Sequence, residues 1–159
     1  MTTFSPDALD KAILTALLAD GRKSQVELSE RVPLSPTAIA RRIRALEDAG
    51  IIEGYQARIS RQALGLQMLV VVQIGLKNQS EDLLAAFEAA AAKAPSVVSC
   101  YLMSGEDDYI LTVLARDLAD FERIHKEQLS RLPGVARLRS SFVLREVASR
   151  QLPAACLSR

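Results

Sequence analysis

Two short stretches hold the residue types that do chemistry. Residues 34–52 read LSPTAIARRIRALEDAGII, with Arg41, Arg42 and Arg44 crowded between a Ser-Pro entry and a Gly exit. Residues 104–109 read SGEDDY, three consecutive acids behind a glycine. Guanidinium groups at helical spacing suit DNA phosphates and the acceptor edge of guanine. Carboxylates clustered at a turn can receive an ammonium group, or they simply keep a hairpin tip solvated; residue types alone favour the solvated tip. Catalytic chemistry has less to work with. His125 is the only histidine, so no His-based triad or His-metal cluster can be assembled, and its polar helix puts it at the surface. Cys100 and Cys156 have no metal spacing. Cys100 reads as a buried small apolar group on a strand, Tyr101 and Tyr109 as residues packing at strand surfaces or a subunit interface, and Asp117 as an ordinary helix N-cap. With no nucleophile-base pair, ligand set or phosphate loop, neither an enzyme nor a metal or cofactor is expected.

The elements that position these stretches fall into two halves. Leu9, Ile13, Leu14 and Leu17 recur at three- and four-residue steps, the apolar face of a first helix. Ser5-Pro6 is expected to open it, and Asp20-Gly21 to close it. Ser24 and Glu27 stand at capping-box spacing for a second helix. A third begins at Ser35-Pro36 and stops at Gly50. The segment GIIEGYQARIS then reads as a short hairpin around Glu53-Gly54. Three helices and a hairpin outline a winged helix-turn-helix domain over residues 1–60. Residues 61–67, with Gly65 at the bend, form a linker. From residue 68 the order strand, helix, strand, strand, helix, strand over 68–159 is that of a ferredoxin-like unit. The fold class is α+β, a winged helix-turn-helix followed by a βαββαβ domain.

At about 100° per residue, Ile39, Ile43 and Leu46 share the inward side of the third helix. Thr37, Arg41 and Arg44 share the outward side with Ala38 and Ala45 beside them, and Arg42 lies on a flank where a phosphate contact is expected. Residues 1–60 contain eight Lys and Arg against eight Asp and Glu, so the basic face is local to this helix. Arg22, Lys23 and Arg58 are possible flanking contacts. The whole chain of 159 residues carries a formal net charge of +1; overall charge therefore gives no attraction to nucleic acid or membrane. The first residues, MTTFSPDALDK, lack the pattern of a signal peptide, and no run is long enough to span a bilayer, so a cytoplasmic protein is expected. The strand MLVVVQIGL is almost continuously apolar, which implies cover on both faces and hence a second copy.

In order along the chain, DGR, LSP, SGEDDY, LPGV and SSFVLREV resemble the Lrp/AsnC family of transcription factors almost end to end. The resemblance implies a helix-turn-helix that binds double-stranded DNA, here through Ser35, Pro36, Thr37, Ala38, Arg41, Arg42 and Arg44. It implies an amino-acid effector near the hairpin, contacted by Ser104, Gly105, Asp107, Asp108 and Tyr109, with Ser140 and Ser141 supplied by a neighbouring chain. It also implies homodimers that assemble into octamers or similar rings. Asp108 matches the family aspartate before tyrosine, and Gly105 is expected to supply an unusual backbone angle. One departure is Ala148, which stands where many members carry a lysine. Two other readings remain at this point, a DNA-architectural protein without an effector and a metabolite-binding ferredoxin-like module.

Overall fold

A pair of aspartates, rather than Ser5-Pro6, starts the first helix. In the computed structural model, which describes residues 4–157, α1 spans Ala8–Ala19 with Asp7 as its N-cap. The Asp10 N–H donates to Asp7 Oδ1 at 2.8 Å and the Asp7 N–H donates to Asp10 Oδ2 at 3.1 Å. This reciprocal capping box satisfies two orphan donors of the first turn, so Pro6 falls just outside the helix. The short α2, Gln25–Ser29, starts on the expected Ser24 and Glu27 capping box. α3 spans Pro36–Asp48, with Ser35 accepting from the Ala38 N–H and Pro36 in the first turn. Its exit is a full Schellman motif. Gly50 has φ 70°, its N–H donates to Glu47 O, and the Ile51 N–H donates to Leu46 O. Ile13, Ala16, Leu28, Val32 and Ile39 form the core of these helices, with Leu46 also fully buried and Ile43 partly so.

The expected hairpin after α3 is not formed. Residues 53–60 contain no strand, and the Tyr55 hydroxyl donates instead to Glu47 Oε1 on α3 at 2.9 Å. Helix–turn–helix and extended arm are present; the ladder of a wing is not. The chain divides into two compact units, residues up to Arg58 with the tail from Ala148 onward, and Ile59–Val147. The tail, expected in the second domain, thus groups with the first, where its 3-10 turn Ala154–Leu157 lies against α1.

In the second unit the element order is β1 (Met68–Leu76), α4 (Glu81–Ala91), β2 (Val97–Leu102), β3 (Tyr109–Ala115), α5 (Leu118–Glu127) and β4 (Val135–Phe142). The antiparallel sheet runs β2-β3-β1-β4, the ferredoxin-like arrangement anticipated from the strand and helix order. Asp117 caps α5 as expected, accepting from the Asp120 N–H at 2.8 Å. Val70, Val72 and Ile74 of β1 and Leu111 and Val113 of β3 pack under Phe87, Ala91, Phe121 and Ile124 of the two helices. Burial along β1 and β3 alternates. Leu69, Val71, Ile110 and Leu114 point to the other face, and within the chain they are only half-buried. A sheet with helices on one side produces this pattern.

Candidate DNA interface and ligand-binding hairpin

The three arginines of α3 have different fates. Arg41 and Arg44 are exposed, and neither has a hydrogen-bond or ion-pair partner among the described residues. Ser35, Pro36 and Thr37 are exposed at the same end, and Ala38 is half-buried. Small residues there leave room for close approach to a duplex, and the unpaired guanidinium groups keep all their donors. Arg42 is instead paired within its own unit. Its Nη1 donates to Asp7 Oδ2 and to Asp10 Oδ1, both at 2.8 Å. Its bonds to Asp10 and then to Asp7 raise the Arg42 guanidinium pKa above its ordinary value. Arg42 therefore faces α1 and not the outward surface. Near Arg44, an open cleft of about 390 Å³ is lined by Arg22, Lys23, Gln25, Ala40 and Tyr55. Lys23 there is paired with Asp20 at 3.3 Å, so Arg22 and Arg44 are its freer cations.

The SGEDDY segment joins β2 to β3, and its two later acids are both engaged. Asp107 is only 7% exposed. Its Oδ2 accepts from Arg139 Nη2 and from Gln73 Nε2, each at 2.8 Å, and its Oδ1 accepts from Arg137 Nη2 at 3.0 Å. Burial pushes the Asp107 carboxyl up, but the bonds and charges of Arg139 and Arg137 outweigh it and hold the group below the usual carboxylate range. Both arginines remain about half exposed. Asp108 closes the end of β1, its Oδ2 accepting from the Leu76 N–H at 2.6 Å and its Oδ1 from Gln79 Nε2 at 2.5 Å. Its own N–H donates to Ile74 O at 2.9 Å.

Other expected site residues are placed elsewhere. Tyr109 is 1% exposed and turns into the helix-covered core. There its ring lies 4.4 Å from Phe87, and its hydroxyl donates to Glu88 Oε1 at 2.7 Å. Burial first, then that bond, pushes the phenol up. Tyr109 is thus a core residue. Ser140 pairs with Val72 and shares its helix side, whereas Ser141 pairs with Val71 on the open side, two positions from Arg139. Gly105 is not among the glycines with positive φ, and a Cβ there would meet nothing within 4 Å. The expected backbone demand on it is absent. Ser104 is exposed at the tip. His125 is half-buried, edge-on to Phe121 with Ser130 Oγ 3.3 Å from Nδ1. Cys100 packs against the helix-side core as expected, while Tyr101 is exposed. The sequence reading passed over Arg137, Arg139 and Gln73. The signal was the alternation of arginines in VARLRSSF, which places both on one side of a strand.

An outward basic helix on one unit suits duplex DNA, and the other unit carries a half-exposed polar cluster. Residues 6–53 match the family description winged helix-turn-helix DNA-binding, and residues 69–153 match Lrp/AsnC ligand binding domain. The Bkd operon transcriptional regulator of Pseudomonas aeruginosa is 42% identical over 147 residues, covering 92% of this chain and 96% of that protein. The leucine-responsive regulatory protein of Escherichia coli K12 is 40% identical, covering 89% and 86%. A crystal structure of a transcriptional regulator from Neisseria meningitidis in complex with L-Met superposes with a TM-score of 0.90 at 36% identity, covering 96% of this chain and 99% of that one. Fold and matches together define a DNA-binding transcriptional regulator with a ligand-binding domain. The chain belongs to the Lrp/AsnC family.

Proposed function

We propose that α3 reads duplex DNA through Arg41 and Arg44, and that an amino acid bound beside the SGEDDY segment modulates that binding. The observation that carries the DNA half is the contrast within α3. Two arginines point outward with no partner among the described residues, while the third is spent on two aspartates. Ser35, Pro36, Thr37 and Ala38 offer the helix N-terminus to phosphate, and Arg22 lies beside Arg44 as a further cation. On the sensor side, Arg137 and Arg139 are half exposed and can receive an α-carboxylate. Asp107, Asp108 and Ser104 lie where an α-ammonium would be met. Ser141 is on the same open side of the sheet. The relative from Neisseria meningitidis is in complex with L-Met, and a feast or famine regulatory protein from M. tuberculosis, 31% identical with a TM-score of 0.81, is complexed with L-methionine. Those complexes support an amino acid as the ligand here. The apolar open face of the sheet supports a homodimer, and the hairpin ends then meet neighbours in a larger ring such as an octamer.

The test uses a duplex selected from a random-sequence pool by the parent protein. Replacing Arg41 and Arg44 together with alanine should weaken binding to it by about 1–3 kcal/mol for each arginine that contacts a base. Affinity equal to the parent's would remove α3 from the interface. Calorimetry with a panel of amino acids, followed by DNA titration with the tightest binder, tests the sensor half. A panel without any binder refutes it.

A further inference from the structure

A carboxylate that is almost wholly buried needs a partner, because an uncompensated charge removed from water is strongly unfavourable. Asp10 is such a group, with 4% exposure at the first turn of α1. Its Oδ2 is taken by the Asp7 N–H and its Oδ1 by Arg42 Nη1. The same Nη1 reaches Asp7 Oδ2, and Asp7 Oδ1 holds the Asp10 N–H. The four bonds close a ring in which one arginine nitrogen bridges the two carboxylates that cap α1. Nη1 has two hydrogens, and both are used.

Arg42 lies between Arg41 and Arg44 on α3, and successive side chains on a helix are about 100° apart. Fixing the direction of Arg42 therefore fixes the direction of its neighbours. The apolar contact of Ile39 with Ile13 and Leu28 has no directional preference of its own, whereas a charge-assisted bridge to two carboxylates does. From this geometry we infer that Arg42, Asp10 and Asp7 form a strut that sets the rotation of α3 about its axis, making Arg42 a positioning residue for sequence recognition and not a phosphate contact. The inference rests on α3 being the helix that reads DNA. If the Arg41 and Arg44 double variant binds as the parent does, that premise fails and the strut merely stabilises the domain.

The two roles differ in sign and in salt dependence. A phosphate contact lowers affinity for every duplex when removed, and reduces the salt slope by about 0.9. A strut lowers affinity for the selected duplex far more than for a scrambled duplex of equal length, where only the local charge changes, and leaves the salt slope on the scrambled duplex as it was. The full chain with Arg42→Gln should lose tenfold or more on the selected duplex and several-fold less than that on the scrambled one. Asp10→Asn gives the sharper contrast, because removing an acid should tighten DNA binding on electrostatics alone. The strut requires weaker binding to the selected duplex, and the Asp10→Asn/Arg42→Gln double variant should be little worse than the more affected single one. If either single variant fails to fold, Asp7→Asn, which keeps a good N-cap, decides by the direction of its change. Tighter or unchanged binding of the selected duplex by Asp10→Asn or Asp7→Asn, or a smaller salt slope for Arg42→Gln on the scrambled duplex, overturns the inference.

Discussion

Asp107 and Asp108 are adjacent and chemically alike, yet their surroundings divide the work between them. Asp108 holds a backbone N–H of β1 and the amide of Gln79. Asp108→Ala would leave the Leu76 N–H without its acceptor, at a cost of about 1–3 kcal/mol, so a lost ligand response there mixes folding with binding. Asp107 is the cleaner probe, since its partners are side chains. Asp107→Asn keeps the shape and releases Arg137 and Arg139 from their counter-charge. The folded-state carboxyl is held low, so the stability it contributes is complete above the unfolded-state value and is lost as pH falls through the folded one. Thermal unfolding from neutral to acid pH should therefore show parent and Asp107→Asn apart at neutrality and converging in acid. A constant gap would show that the ion pairs contribute nothing. The identity of these partners could not be read from SGEDDY itself, because they lie some thirty residues away on β4, and pairing register is a tertiary fact.

Among the elements, caps and turns were the most legible from sequence, because their chemistry is local. Ser35-Pro36, Gly50, Ser24 with Glu27, and Asp117 all act where their residue types place them. Expectations failed where a distant group decides. Asp7 and Asp10 took the start of α1 from Ser5-Pro6 because the bridge to α3 rewards them. Tyr109 turned inward because β3 alternates and Phe87 and Glu88 wait on the helix side. The arm after Gly50 found no strand to pair with in its own chain. A different glycine carries the constraint expected of Gly105. Gly134, in the LPGV turn before β4, has φ 72°, and a Cβ there would stand 2.6 Å from the Leu83 side chain on α4. Gly134→Ala should cost about 1–3 kcal/mol from the left-handed backbone and the forced shift of Leu83. Gly105→Ala should be close to neutral. Urea unfolding of the two variants compares them directly, and equal midpoints would contradict the assignment.

For the whole molecule, the arrangement of the second unit sets the question of assembly. Its helices cover one face of the sheet, leaving Leu69, Val71, Ile110 and Leu114 half-buried on the other. The same face carries Arg137, Arg139 and Ser141 along its β4 side, so apolar and polar parts of one surface are contiguous. An apolar centre edged by charges has the composition of a protein interface. A second copy is self-complementary there, because a twofold axis lets each apolar strip meet its equivalent. Burying that strip in a dimer would also raise the local field around Asp107, since its arginines would then lose water. The proposed dimer and the proposed sensor are in this sense one surface. Val71→Lys, which introduces a charge at the centre of the strip without touching the helix-side core, should shift the full chain from dimer toward monomer in sedimentation at micromolar concentration. Its first unit should melt unchanged, because Val71 belongs to the other. Retention of the dimer by Val71→Lys would mean that the copies associate elsewhere, and the half-exposed arginines would then act within single chains.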